Sequence, residues 1–297
     1  MIPESDIYAF SGLQAPVAFS GCEALFPILS GVLRDWSLEK GRAENAASQG
    51  QPVITLQKKA DGYERRSRWL SKLVRFSDPV DAVCDFIVDL IHAYNAEQNK
   101  NLCLHGAAVE FQTGLMVFPS TYRAGKSLLS VKLASCGARI FSDDVLPIPD
   151  GGNSGVALGI LPRLRRPLPE TAGDPLRTFI ANRIGPQNKR YRYIRLDKRH
   201  LAPRGTDAQV TAITILRRGA GEKPTLKTAT TSDVVRDMIL RNFARENPGI
   251  DILDRLHAVV EQAACYTLTY DTLDQAAALL SEGFGLAPVR EDNDKII

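Results

Sequence analysis

The sequence has few cysteines and histidines, and their placement excludes several classes of protein. Five cysteines and four histidines are spread over 297 residues without a Cys-x-x-Cys pair, which argues against a disulfide framework and against a cysteine-paired zinc site. No run approaches the roughly 18 apolar residues of a membrane helix. The first residues include Glu4 and Asp6 rather than a basic segment, so we expect no secretory signal. These absences predict a cytoplasmic protein with reduced thiols and no membrane partner.

The composition is that of an ordinary folded protein. Hydrophobic residues make up 44% and charged residues 24%, and the net charge is only +3. This small charge gives no reason by itself to expect nucleic acid as a partner. The length allows one large core or two modest ones. We therefore expect two parts: an N-terminal α+β region at 1–98 and a second domain at 99–297 that holds the motifs described below.

The N-terminal part shows only weak patterns. Apolar residues recur at helical spacing over Asp81–Tyr94, and Asp78-Pro79 before them is typical of a helix start. Val53–Gln57 resembles a short strand. A small basic cluster is interpreted as a solvated face: Arg65, Arg66 and Arg68.

The middle of the chain alternates between strand and helix patterns. Leu102–Phe111 and Leu115–Pro119 read as strands joined by a turn, and Lys126–Cys136 has the apolar pattern of a helix. Ala138–Phe141 follows as another strand and ends near Asp143-Asp144. Further strands are predicted at Val210–Leu216 and Tyr266–Tyr270, and further helices at Val234–Phe243, Ile252–Cys265 and Leu273–Leu280. This order predicts an α/β fold.

A phosphate-binding loop is the most specific motif. The stretch Ser120–Ser127 follows the pattern G-x-x-x-x-G-K-[ST], except that Ser120 replaces the first glycine. A surface helix that begins with Gly-Lys-Ser by chance is the alternative. The position between a strand and a helix favours the loop, because backbone N–H groups at a helix start bind phosphate. The residues expected around a nucleotide are Ser120, Thr121, Tyr122, Arg123, Ala124, Gly125, Lys126, Ser127 and Leu128.

The residue types suit nucleotide chemistry. Gly125 would let the backbone approach a phosphate, Lys126 would neutralise the β and γ oxygens, and the Ser127 hydroxyl would ligate Mg²⁺. Asp143 and Asp144 follow a predicted strand, where open α/β sheets place ligand groups. One of the two aspartates would help to hold the metal, directly or through water, while the other would face an acceptor hydroxyl and take its proton. An ordinary turn with two solvated acids is the alternative.

Taken together, three motifs resemble the catalytic core of the HPr kinase/phosphorylase family. They are His105-Gly106, Gly125-Lys126-Ser127 and Asp143-Asp144, with His105 lying 21 residues before Lys126 and Asp144 lying 18 residues after it. The resemblance covers about residues 102–148 and, more loosely, the chain to about residue 280.

The resemblance implies a fold and a set of roles. The fold would be the P-loop kinase core shared with phosphoenolpyruvate carboxykinase, with ATP and Mg²⁺ as cofactors. Asp144 would be the general base, His105 a phosphate-side active residue, and Lys126 and Ser127 the contacts to phosphates and magnesium. The family's metal-binding glutamate falls near Glu170, where the local sequence matches poorly. Family members are often hexamers, so a homo-oligomer is possible.

Two departures affect the substrate. Thr121-Tyr122-Arg123 is unlike the usual loop of the family, and its downstream glycine- and arginine-rich signature is missing. The chain therefore resembles divergent relatives, which include kinases of small peptides. We expect a kinase that acts on a serine hydroxyl of a protein or peptide. A non-catalytic nucleotide-binding regulatory module and a small-molecule kinase are the alternatives.

The stretch from Arg183 to Arg204 is rich in arginine and lysine, with Tyr191 and Tyr193 interleaved. A solvated face, an acidic protein partner, nucleotide phosphates and nucleic acid are the readings left open, with nucleic acid the least favoured.

Overall fold

The chain has a mixed α/β fold. The computed structural model describes residues 6–41, 51–98, 101–119, 124–239 and 248–286. Within these residues the strands form sheets of six, seven, two and three strands. No helix in the same ranges is long and apolar enough to cross a membrane.

The first sheet is built entirely from the N-terminal part of the chain. Its strand order is β3-β1-β2-β4-β5-β6, and only the β2–β4 pair is parallel. The strands are β1 (Asp6–Phe10), β2 (Val17–Ser20), β3 (Leu38–Lys40), β4 (Ile54–Lys59), β5 (Gly62–Ser67) and β6 (Leu70–Phe76). Of these, the sequence predicts only β4. A short helix, α1 (Phe26–Val32), lies between β2 and β3.

A long helix, α2 (Pro79–Glu97), covers one face of this sheet. It begins as the sequence predicts, because Asp78 Oδ1 accepts hydrogen bonds from the N–H groups of Val80 (2.8 Å) and Asp81 (3.1 Å). Phe86 of α2 is fully buried and packs with its ring centroid 5.4 Å from that of Phe19 in the sheet. The apolar face of α2 therefore fixes the helix against the sheet.

A buried ion cluster also joins α2 to this sheet. Arg65 on β5 is only 1% exposed and contacts Asp85 (Nε–Oδ2 2.5 Å) and Asp89, which lie one turn apart on α2. The interpretation of Arg65 as part of a solvated face is therefore wrong, although the side chain of its neighbour Arg66 is 74% exposed. The sequence did not distinguish the two arginines, because their different burial depends on the partner helix.

We expect Arg65→Met to lower the free energy of unfolding by about 3–5 kcal/mol, because the buried carboxylate of Asp89 and the partly buried one of Asp85 would both lose their cation. Urea denaturation monitored by circular dichroism measures this loss. Arg66→Met is the matched control and should change stability by less than about 0.5 kcal/mol. Equal effects for the two variants would contradict the importance of the buried cluster.

The second and largest sheet contains the predicted nucleotide-binding segment. Its strand order is β10-β8-β9-β16-β18-β17, with β12 added to β16. The strands are β8 (Ala107–Phe111), β9 (Gly114–Phe118), β10 (Arg139–Ser142), β12 (Ser154–Val156), β16 (Asp207–Arg218), β17 (Thr225–Thr228) and β18 (Ala264–Tyr270). β9, β16 and β18 are mutually parallel, and β10 runs in the same direction because β8 is antiparallel to both β9 and β10.

This sheet is covered on both faces, which explains why its central strands are almost continuously apolar. Along β9, Met116 and Phe118 belong to the same core cluster as helices α3 (Lys126–Ser135) and α7 (Leu273–Phe284). Leu115 and Val117 belong instead to the cluster with α5 (Thr231–Ile239) and α6 (Gly249–Glu261). Alternate residues of one strand thus enter two different cores.

The predicted strand Leu102–Phe111 is in fact two strands in two sheets. β7 (Leu102–His105) pairs with β11 (Val145–Ile148), and the chain then passes through Gly106 into β8. A Cβ atom on Gly106 would lie only 3.0 Å from the carbonyl oxygen of Phe118. A larger residue at this crossing would force the Phe118 backbone to shift by a few tenths of an ångström.

Other predicted elements differ at their ends. The helix predicted over Ile252–Cys265 ends at Glu261, because the chain then enters β18 beside the parallel strand β16. Only the first part of the predicted helix Val234–Phe243 falls within the described residues, as part of α5. The predicted helices at Lys126–Cys136 and Leu273–Leu280 are confirmed as α3 and α7.

A three-stranded sheet completes the structure and contains part of the basic stretch. Its order is β13-β15-β14, formed by β13 (Arg163–Arg165), β14 (Ile184–Gln187) and β15 (Tyr191–Ile194), and helix α4 (Asp174–Ala181) lies between β13 and β14 along the chain. Arg204, at the end of the basic stretch, lies 3.8 Å from the ring centroid of Trp36 and donates to the Ser11 carbonyl. The interpretation of this whole stretch as one solvated face is wrong, because Arg204 ties the N-terminal region to the rest of the chain.

Candidate functional site

Four strands end at one edge of the large sheet, and a cleft of about 330 Å³ opens there. The chain leaves β9 for the predicted phosphate loop at this edge, and it leaves β10 for Asp143-Asp144. Arg218 ends β16 and lines the cleft. Because parallel strands present their carboxyl ends at the same edge, residues distant in sequence meet at this position.

The last part of the predicted phosphate loop forms one wall of the cleft. Gly125 precedes α3 with φ of +91°, a left-handed conformation that glycine adopts without strain. The buried Tyr270, at the end of β18, donates a hydrogen bond from its hydroxyl to the Ala124 carbonyl (3.4 Å). Tyr270 therefore supports the turn that starts α3. The sequence predicts Gly125 but gives no indication of Tyr270.

Lys126, Ser127 and Leu128, the first three residues of α3, line the cleft together with Ala124 and Gly125. Lys126 is only 8% exposed. A helix start carries free N–H groups and partial positive charge, which favours an anion in this part of the cleft. The predicted contacts Ser120, Thr121, Tyr122 and Arg123 lie outside the described residues.

His105 and Asp144 meet because two chain crossings lie side by side. His105 ends β7, Asp144 precedes β11, and these strands pair so that Val145 lies opposite His105. The Gly106 N–H donates to the Asp144 carbonyl (3.0 Å), and the imidazole Nδ1 of His105 lies 3.3 Å from the Asp144 carboxylate. The Asp144 side chain is 51% exposed. The carboxylate is therefore both oriented by a neighbour and accessible from the cleft.

Asp143 lies in a more enclosed environment than Asp144. Its Oδ2 accepts a hydrogen bond from the Arg163 N–H (2.9 Å). Burial, followed by the Asp144 carboxylate, raises the pKa of Asp143 to about 7, although the Arg163 N–H, the Ser127 side chain and Lys126 oppose this shift. The two neighbouring acids thus have different environments, which is typical of sites that divide two roles between two carboxylates.

The position of Asp143 fits a divalent cation. Its Oδ1 is shielded from solvent, and no described group donates a well-aligned hydrogen bond to it. The Ser127 side chain lies close enough to influence the pKa of this carboxyl. A hydroxyl and one or two carboxylates are an ordinary Mg²⁺ set when substrate phosphates and water complete the octahedron. Within the described residues no cluster of three acidic, histidine or cysteine residues forms a complete metal site.

The raised pKa of Asp143 predicts a pH-dependent effect of removing its charge. In the metal-free protein the folded state keeps the Asp143 proton up to about pH 7, whereas the unfolded state loses it near the ordinary value of 3.8. The wild type therefore loses stability as the pH rises between these values, by up to about 1.4 kcal/mol per pH unit. We expect Asp143→Asn to be more stable than wild type in EDTA, by a margin that grows from pH 4 to 7 and then stays constant. Thermal melts across this range measure the margin, and a constant margin would contradict the prediction.

Several residues that line the cleft are given no role by the sequence prediction. Arg163 and Arg165 alternate on β13 in register with Tyr193 and Tyr191 of β15. Arg163 also lies 4.7 Å from the ring centroid of Tyr191. The period-2 spacing of the two arginines was the available signal for this arrangement. Glu170, the weak metal candidate, is exposed and is not among the residues that line the cleft.

Comparisons with known proteins add little to this geometry. No family model matches the chain, and no curated protein matches it significantly. Among solved structures, the HPr(Ser) kinase/phosphatase from Coxiella burnetii is similar over 61% of this chain and 95% of its own, with 11% identity and a TM-score of 0.29. A likeness of this size carries no argument, so the functional conclusion depends on the residues of the cleft.

Proposed function

We propose that this chain is an ATP- and Mg²⁺-dependent kinase that transfers the γ-phosphoryl group to a hydroxyl, in the first instance a serine of a protein or peptide. The observation that carries the proposal is the meeting of Lys126, Ser127, Asp143 and Asp144 in one cleft at the carboxyl edge of the sheet. This combination of a cation, a metal-binding hydroxyl and paired acids is typical of phosphoryl-transfer sites.

In this proposal the residues of the cleft bind the phosphates of ATP and the magnesium ion. Lys126 and the N–H groups at the start of α3 bind the β and γ phosphates of ATP. Ser127 and Asp143 hold Mg²⁺, which neutralises negative charge on the phosphates. Arg163, Arg165 and Arg218 add positive charge around the same cleft.

Asp144 accepts the acceptor's proton in the transfer step. A bond forms between the hydroxyl oxygen and the γ-phosphorus, the bond from the γ-phosphorus to the β–γ bridging oxygen breaks, and ADP leaves. The hydroxyl proton passes to the Asp144 carboxylate. The imidazole Nδ1 of His105, 3.3 Å away, orients this carboxylate.

A second candidate is a nucleotide-binding regulatory module without transferase activity. Ser120 favours it, because this residue replaces the first glycine of the phosphate-loop pattern. Both candidates bind nucleotide at the same residues, so they differ only in the need for Asp144.

The first test is calorimetric titration of wild type with ATP in the presence of Mg²⁺ and, separately, in EDTA. We expect saturable binding that is markedly weaker without the metal. Titration with Mg²⁺ alone at pH 6 and pH 8 reports on Asp143, because the carboxyl must lose its proton to bind a cation. Folded wild type that binds no nucleotide would overturn both candidates.

A further inference from the structure

A second, smaller pocket of about 70 Å³ adjoins the cleft. One wall is formed by Ile87, Val88 and Ile91 of α2, and the opposite wall includes Phe141, Leu158 and Leu161. We call this space the side pocket. It is too small for a nucleotide, and its walls are mainly apolar, so it fits a single hydrophobic side chain.

The side pocket and the cleft share the two neighbouring aspartates. Asp143, Asp144 and Arg163 line both, whereas the residues at the start of α3 line only the cleft and α2 lines only the side pocket. The two aspartates therefore lie between the polar cleft beside α3 and the apolar side pocket beside α2. A group held in the side pocket lies next to Asp144 without occupying the nucleotide's space.

We propose that the side pocket binds an apolar side chain adjacent to the acceptor serine of a peptide or protein substrate. This inference rests on the proposed kinase function. The serine hydroxyl must reach Asp144 while the nucleotide fills the cleft. The substrate residue next to the serine then lies closest to the side pocket, because Asp144 lines both spaces. The hydroxyl oxygen then bonds to the γ-phosphorus, its proton passes to Asp144, and ADP leaves.

This assignment gives the N-terminal region a task in the reaction. The buried face of α2 packs on the first sheet, and Val88 is exposed at 38% where the helix borders the side pocket. The Arg65 cluster and the Asp78 cap hold α2 in place. The helix thus selects the acceptor through the shape and polarity of one wall.

A peptide series tests the assignment. We would measure phosphoryl transfer from γ-labelled ATP to short glycine-rich serine peptides in which one residue beside the serine is Gly, Ala, Leu, Phe or Asp. Both the preceding and the following positions are varied. We expect kcat/KM for the Leu or Phe peptide to exceed that for the Gly peptide by roughly tenfold or more, because one hydrophobic group in a fitted pocket discriminates by about this factor.

Matched variants connect the preference to the pocket. Val88→Trp fills the border of the side pocket and is expected to abolish the preference for Leu and Phe while ATP binding stays within about twofold of wild type. Ile250→Trp, an exposed apolar residue on α6 with 63% exposure, should keep the preference. ATP titration of each variant verifies that it is folded.

The outcomes separate the two proposals. Wild type that phosphorylates the peptides but shows no apolar preference in either position would overturn the side-pocket assignment alone. Wild type that binds Mg²⁺-ATP but phosphorylates no peptide of the series would overturn both proposals in favour of the regulatory module. A preference that survives in Val88→Trp would also overturn it. Wild type that binds no Mg²⁺-ATP would overturn the kinase proposal and this inference with it.

Discussion

Asp144→Asn is expected to reduce phosphoryl transfer by about 10²- to 10⁴-fold, the usual contribution of a general base. The amide keeps nearly the same shape but cannot accept the hydroxyl proton. Asp144 lies near the predicted phosphate-binding residues but is not one of them, so we expect the affinity for Mg²⁺-ATP to change by no more than a few-fold. The measurements are transfer of labelled phosphate to the serine peptides and calorimetric titration with Mg²⁺-ATP.

The chain offers a matched control for this substitution. Asp197 forms a similar pair with His200 (Oδ1–Nδ1 2.7 Å), and neither residue lines the cleft. Asp197→Asn removes the same charge from the same kind of pair and should leave transfer unchanged. Full transfer activity in Asp144→Asn would place the base elsewhere. Wild type that binds nucleotide but transfers nothing would favour the regulatory module.

Lys126→Ala is expected to weaken Mg²⁺-ATP binding by about 10- to 150-fold, because charge-assisted hydrogen bonds to phosphate contribute about 1.5–3 kcal/mol. Lys126 is buried at the start of α3 and lines the cleft, where the free N–H groups of the helix start also favour an anion. Calorimetric titration measures the change in affinity. The same substitution removes a charge that lowers the pKa of Asp143, so Mg²⁺ binding should shift to higher pH.

A second buried lysine on the same helix is the control. Lys132 is also 8% exposed, but it pairs with Asp274 of α7 (Nζ–Oδ1 2.5 Å) and does not line the cleft. Lys132→Ala should leave nucleotide affinity within about twofold of wild type, even where it lowers stability. Equal loss of affinity in both variants would mean that Lys126 acts through the stability of α3 rather than through the phosphates.

Local patterns predict the central elements well. The strand before the loop, helix α3 and the acidic pair are all readable, because apolar spacing and glycine placement reflect short-range geometry. Five N-terminal strands escape prediction, because β2 has only four residues and β1, β3, β5 and β6 mix polar and apolar residues without a clear period. Their pairing is decided by contacts with α2 and with one another, which no short window contains.

The residues that complete the site come from distant positions. Arg218 and Tyr270 reach the site because β16 and β18 end at the same edge of the sheet as β9 and β10, whereas Arg163 lines the cleft from β13 of the three-stranded sheet. Sequence spacing carries no information about that edge until the strand order is known. The side pocket depends even more on tertiary structure, because it lies between α2 and the crossing from β10 to β11.

The sequence by itself determined the α/β class and the candidate residues of the site: His105, Lys126, Ser127, Asp143 and Asp144. These candidates follow from residue type, from spacing within single turns and strand ends and, for His105, from the family resemblance. The tertiary structure alone decided that these residues share one cleft, that Asp143 is shielded while Asp144 is exposed, and that α2 borders the acids. Burial and electrostatic environment arise from packing between distant segments, so they exist only in the folded chain.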